Sequence, residues 1–175
     1  MPDLQGIIDS LRASGFRDLA GAHGQATVPV AEPLLNAIVA ATLPAQAPVR
    51  SVTIHPEAGD RLSVRIVPKA ALIPSITLKL AIESQPRLPN SPVLILRMVT
   101  LGGLFGLASG AIAGMLPPGV TLDGERILVD VGALARQRGH GEAFDYLQRL
   151  DVHAEAGQLL LHIEAGVPPF SSAGR

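Results

Sequence analysis

LGGLFGLASGAIAGMLPPGV, Leu101–Val120, is the segment on which the architecture turns. No charged residue occurs between Arg97 and Asp123, and Gly102, Gly106, Gly110 and Gly114 fall at every fourth position. A helix turns about 100° per residue, so steps of four stack these glycines in one slowly drifting groove. Leu104, Phe105, Leu107, Ala108, Ala111, Ile112, Met115 and Leu116 fill the rest. A helix apolar on every side has to be buried, in a core or in a membrane. Pro117-Pro118 ends it. The expectation is one long apolar helix over 101–116.

Each glycine inside a helix costs roughly 1 kcal/mol against alanine. Close approach of another backbone or of a ligand is the usual compensation. One reading is a membrane span whose small-residue face pairs with another helix. A second is a central helix gripped by a sheet, and the plain one is a buried helix with accidental spacing. Met98 to Leu116 approaches the ~20 residues that a bilayer needs. Only about half a dozen of them favour insertion, at roughly −0.3 to −0.6 kcal/mol each. No Trp or Tyr anchors either end, and only Arg97 flanks the segment closely. The central helix in a water-soluble domain is therefore expected.

With 175 residues the chain suits one domain with a proper core. Fourteen Lys and Arg face 15 Asp and Glu, for a net charge of −1, which excludes a strongly basic nucleic-acid binder. Four Phe, one Tyr and no Trp leave little for base or sugar stacking. Without cysteine there is no disulfide, thiol chemistry or zinc–thiolate site. The beginning, MPDLQGIIDSLRASG, has early acids and no apolar h-region, so no signal peptide is expected. The expected place is the cytoplasm, at most peripheral at the membrane, with export open only if a leader had been removed.

Around the glycine stretch, Asp3–Ser14 reads as an amphipathic helix and Gly21–Pro29 as a loop. A second helix runs from about Ala31 to Leu43, with Pro33 in its first turn and Pro44 stopping it. Val49–His55 and Arg61–Val67 flank the turn PEAGD as a hairpin. Ser75–Glu83 alternates cleanly, with Ile76, Leu78, Leu80 and Ile82 to one side. Val93–Val99 is apolar on both faces except at Arg97. Arg126–Val129 is a strand, Asp130 caps a short helix to Gln137, and Gly141–Arg149 reads as another. A hairpin turning at Gly157 closes the chain before a frayed tail at 168–175. No linker divides the chain, so 1–27 precedes a core of 28–167 within a single domain.

This order implies an α+β fold, a curved antiparallel sheet wrapped on a long central apolar helix. It resembles the tubular lipid-binding (TULIP-like) superfamily, particularly small single-module bacterial members. The matching pieces are AEPLLNAIVAATLP, the long helix ending in LPPGV, and LDGERILVDVGALARQRG with LDVHAEAGQLLLHIEAGV. Together they cover most of Val28–Val167. The resemblance rests on apolar spacing and turns, and the missing export signal departs from those relatives. It implies a lipid-like ligand held between helix and sheet.

No catalytic constellation is visible. The serines near glycine lack G-x-S-x-G, and the glycine string lacks both G-x-G-x-x-G and a P-loop lysine. Asp123, Glu125 and Asp130 read as a turn residue, a strand charge and a cap. His153 and His162 fall on the polar face of the last hairpin, where a two-residue turn puts Asp151 opposite His162. With Glu155 and Glu164 they could hold a divalent ion, but a solvated face with a weak ion pair is the plainer reading. No metal and no cofactor is expected. Between Arg50 and Arg97 seven bases face three acids, a basic half that could touch anionic headgroups or simply be surface charge.

The expected function is non-enzymatic binding of a lipid or other long apolar ligand in a cleft beside the 101–116 helix. Candidate lining residues are Leu78, Leu80, Ile82, Ile95, Leu104, Phe105, Ala108, Ile112 and Leu161. The alternative is an oligomerising or membrane-associated protein that packs through the glycine ladder. Expected partners are a lipid or fatty-acyl ligand and transient contact with a membrane surface, and no nucleic acid. The oligomeric state is open.

Overall fold

Extended strands, rather than helices, account for most of the described residues. The computed structural model describes residues 21–43, 45–70, 74–100 and 116–167. Most of these are in strands. The elements run β1 (His23–Ala31), α1 (Glu32–Thr42), β2 (Val49–Glu57), β3 (Arg61–Pro68), β4 (Ile76–Ser84) and β5 (Val93–Thr100). Next come β6 (Val120–Asp123), β7 (Arg126–Asp130), α2 (Val131–Gln137), α3 (Gly141–Phe144), β8 (Leu147–Glu155) and β9 (Gln158–Gly166).

Among the described residues two sheets result, a six-stranded one in the order β2-β3-β4-β5-β7-β6 and a three-stranded one in the order β1-β9-β8. Every pairing is antiparallel. Bulges between Lys79 and Leu80 and between Ile82 and Ser84 offset the β4–β5 register. Such bulges bend a sheet and increase its twist.

The expected architecture needs correction. Among the described residues no long apolar helix lies at the centre: α1 has 11 residues, and none of them is buried. No described helix is long and apolar enough to cross a membrane. Residues 101–115, with the glycine ladder and most of the expected central helix, lie outside the described residues, as do the Asp3–Ser14 helix and the tail. The described end of the stretch, Leu116–Val120, turns into β6, with Val120 N–H donating to Pro117 O at 3.0 Å.

The physical reason is that sheets can bury each other. Val152 and Ala154 of β8 join Leu62, Ile66, Leu78, Leu80, Leu94, Leu96, Met98 and Ile127 of the larger sheet in one buried cluster. The one-sided strands did need a second layer. Among the described residues part of that layer comes from the other sheet, whose β8 and β9 pack against β2 and β3.

The two sheets are joined by side chains that stand in for strands. On the free edge of β8, Gln85 donates to Val152 O and accepts from Val152 N–H, both at 2.8 Å. Two residues on, Asp60 accepts from Ala154 N–H at 2.9 Å through Oδ1, and its own N–H reaches Ala154 O at 3.2 Å. Asn36 of α1 repeats the arrangement on the free edge of β2, donating to Ile54 O at 2.9 Å and accepting from Ile54 N–H at 2.7 Å. Unpaired edges invite pairing with other chains. Three short polar side chains close parts of two of them.

Two further expectations change. Gly21–Pro29, read as a loop, holds most of β1, an edge strand that is exposed along nearly its whole length. The helix expected over Gly141–Arg149 stops at Phe144, because Leu147 already pairs with Ala165 in the closing hairpin. Asp130 caps α2 as expected, accepting from Ala133 N–H at 2.8 Å.

Candidate functional site

Among the described residues two surfaces are candidates for binding, and strand alternation builds both. The first is the inner face of the six-stranded sheet. It takes Val49, Val52, Ile54 and Pro56 from β2, Leu62, Val64, Ile66 and Pro68 from β3, and Ile76, Leu78, Leu80 and Ile82 from β4. Leu94, Leu96 and Met98, then Ile127 and Val129, then Val120 and Leu122 continue it. No inward position carries a charge, and no polar or charged residue is buried among the described residues. Val52, Ile54, Val64, Ile82, Val120, Leu122 and Val129 are only partly covered. From the smaller sheet, Leu150, Leu159 and Leu161 are likewise partly covered against the same cluster.

Of the expected lining residues, Leu78 and Leu80 are core members at 2% and 3% exposure, while Ile82 and Leu161 pack partly buried against them. These four share one cluster. Ile95 lies on the other face of β5 from Leu94 and Leu96, opposite Leu128. Leu104, Phe105, Ala108 and Ile112 lie outside the described residues.

At the β2 edge the apolar face meets charge. A hollow of about 250 Å³ is lined by Ala40, Leu43, Val49 and Val52 together with Arg50 and Lys69. Lys69 Nζ donates to Ala45 O. Arg50 has no ion pair among the described residues.

On the outer face, Glu83 holds Arg126 and, at 3.6 Å, Arg97, and Lys79 lies 3.4 Å from Glu57. Glu83 raises the Arg126 guanidinium pKa. Arg61 and Arg65, both exposed, add charge without an ion pair among the described residues. His55 lies 2.6 Å from Glu32, whose hydrogen bond and negative charge hold the imidazole pKa above its usual value.

The second surface is a polar groove of about 410 Å³ on the outer face of the three-stranded sheet. Asp151 lies directly across from His162, as expected from the turn at Gly157, and Thr27 of β1 lies across from His162 on the other side. Thr27 Oγ1 is 2.9 Å from His162 Nδ1. Both carboxylate oxygens of Asp60 are 3.3 Å from His153 Nδ1. The two imidazole rings meet edge to face, with centres 5.5 Å apart. Arg149 is 2.6 Å from Asp151 and 3.8 Å from Glu164. Glu155 accepts from Gln158 at 2.9 Å. Among the described residues no group of three or more His, Asp or Glu side chains converges to hold an ion.

Sequence reading missed Thr27 because β1 lacks clean apolar alternation. It missed Asp60, Gln85 and Asn36 because their roles depend on which strand edges face them. The φ of 58° at Asp60 was foreshadowed only by the AGD of the turn, where Asp tolerates the left-handed region. No family model matches the chain, and no curated protein or solved structure is significantly similar to it.

Proposed function

We propose that the protein is a non-enzymatic binder of a long apolar ligand, an acyl chain above all, laid along the inner face of the six-stranded sheet. The observation that carries this reading is the uncharged inner face, buried at its centre around Leu78, Leu80 and Leu96 and only half covered around that centre at Val52, Ile54, Ile82, Val120 and Leu122. Apolar surface left in water is a source of binding energy, at about 0.8 kcal/mol for each CH₂ buried against it. Few polar contacts are needed for such a ligand.

The hollow at Arg50 and Lys69 gives the ligand a direction. It joins apolar Val49, Val52 and Leu43 to two cations, the arrangement that suits an acyl chain ending in a carboxylate or phosphate. The basic outer face, with Arg61 and Arg65 exposed, supports transient contact with an anionic membrane surface during loading. Native mass spectrometry of the purified chain tests the reading. Retained fatty acid or phospholipid at one per chain supports it. Delipidated, folded protein that takes up neither from mixed micelles overturns it.

A further inference from the structure

The groove on the three-stranded sheet uses none of the apolar face, and its chemistry is independent of the acyl-ligand reading. We infer that His153 and His162 form a two-imidazole site for a divalent transition-metal ion of the zinc class.

Each imidazole is held through Nδ1 by an oxygen: the Asp60 carboxylate for His153 and the Thr27 hydroxyl for His162. The Asp60 carboxylate can only accept, which places the proton of neutral His153 on Nδ1 and the lone pair on Nε2, and the Thr27 hydroxyl can accept from His162 Nδ1–H in the same way. Neither Nε2 has a hydrogen-bond partner among the described residues. Outer-sphere anchoring of this kind fixes the tautomer and ring orientation of metal-binding histidines and raises their basicity.

The spacing fits an ion. A zinc ion about 2.1 Å from each ligating nitrogen sits about 3.2 Å from each ring centre, and a tetrahedral angle then separates the centres by about 5.2 Å. The observed separation is 5.5 Å. Charge favours a cation as well, since Asp60, Asp151 and Glu164 outnumber Arg149 here. Arg149 pairs with Asp151 and approaches Glu164, and among the described residues no third protein ligand converges. Water fills the remaining positions, leaving the ion open to a further ligand. This reverses the expectation drawn from the sequence, where both histidines read as an ordinary solvated face.

The test is zinc chloride titrated into the full chain labelled with ¹⁵N at histidine. The expected result is a saturable, one-to-one shift of the Nε2 signals of His153 and His162 together, with His23, His55 and His140 unmoved. His153→Gln and His162→Gln should each weaken zinc binding at least about tenfold, and Thr27→Val should weaken it about tenfold with both imidazoles still present. Shifts that do not saturate, shifts confined to other histidines, or affinity unchanged in folded His153→Gln and His162→Gln would overturn the assignment. The spectrum of the unsubstituted chain decides it even where a variant fails to fold.

Discussion

Gln85 and Val152 are joined by two hydrogen bonds of 2.8 Å, one in each direction between a side-chain amide and a main-chain amide. Val152 is 7% exposed, so water cannot readily replace either bond. Replacing Gln85 by Leu leaves a buried N–H and C=O unpaired, at about 1–3 kcal/mol each. Chemical denaturation should show a loss of about 2–5 kcal/mol for Gln85→Leu. Gln85→Glu should also destabilise, because a carboxylate cannot donate to Val152 O. A Leu variant as stable as the parent would mean the sheets are not joined there.

Asp60 combines two demands at one position. Its backbone sits at φ 58°, and its side chain holds Ala154 N–H. Asn meets both demands, so Asp60→Asn should cost under about 1 kcal/mol. Asp60→Val meets neither, and should cost about 2–4 kcal/mol in thermal or denaturant unfolding. Equal losses in the two variants would contradict this role for the turn.

The pairing of His55 with Glu32 sets a pH dependence. The folded imidazole pKa is raised above 6.5. Its stabilisation is therefore fully present below pH 6.5 and is lost as pH rises through the folded pKa. Following the His55 ring proton by NMR should show a raised midpoint that falls back toward 6.5 in Glu32→Gln. The same variant should flatten the stability profile in that window.

The legible part of the chain was that governed by local period and turn chemistry. The β2–β3 hairpin, β4, the Asp130 cap and the Asp151–His162 register all come from alternation, a turn signal or a capping residue, and β5 from a short apolar run rich in β-formers. β1 was hidden because an exposed edge strand need not alternate, and HGQATVPV carries a proline at a position that edges tolerate. The part of the second layer that the smaller sheet supplies over β2 and β3 was hidden for a different reason. Apolar strand faces state that they need a cover, but not which element supplies it, and LGGLFGLASGAIAGM has the composition of a cover. Of the expected lining residues, Leu78, Leu80, Ile82 and Leu161 converge because strand alternation put them there. Ile95 does not join them, since an all-apolar strand such as VLILRMV gives no sign of which face turns inward.

Charge at the β2 edge gives a prediction about ligand class. Arg50→Glu should weaken binding of a fatty acid at least about tenfold, the scale of a charge-assisted contact of about 1.5–3 kcal/mol. The corresponding methyl ester should bind parent and variant alike, as followed by displacement of a bound fluorescent probe. An equal effect on acid and ester would place the ligand's polar end elsewhere.

Acyl binding along the inner face is put to its sharpest trial by titrating fluorescent acyl probes of graded chain length into the delipidated chain. Binding should be saturable and one-to-one, and should weaken roughly tenfold for each two carbons removed, at about 0.8 kcal/mol per buried CH₂. Leu122→Glu, on the half-covered end of the inner face, should reduce that affinity while the fold survives. A folded chain that shows no saturable binding, or binding indifferent to chain length, would rule the acyl ligand out.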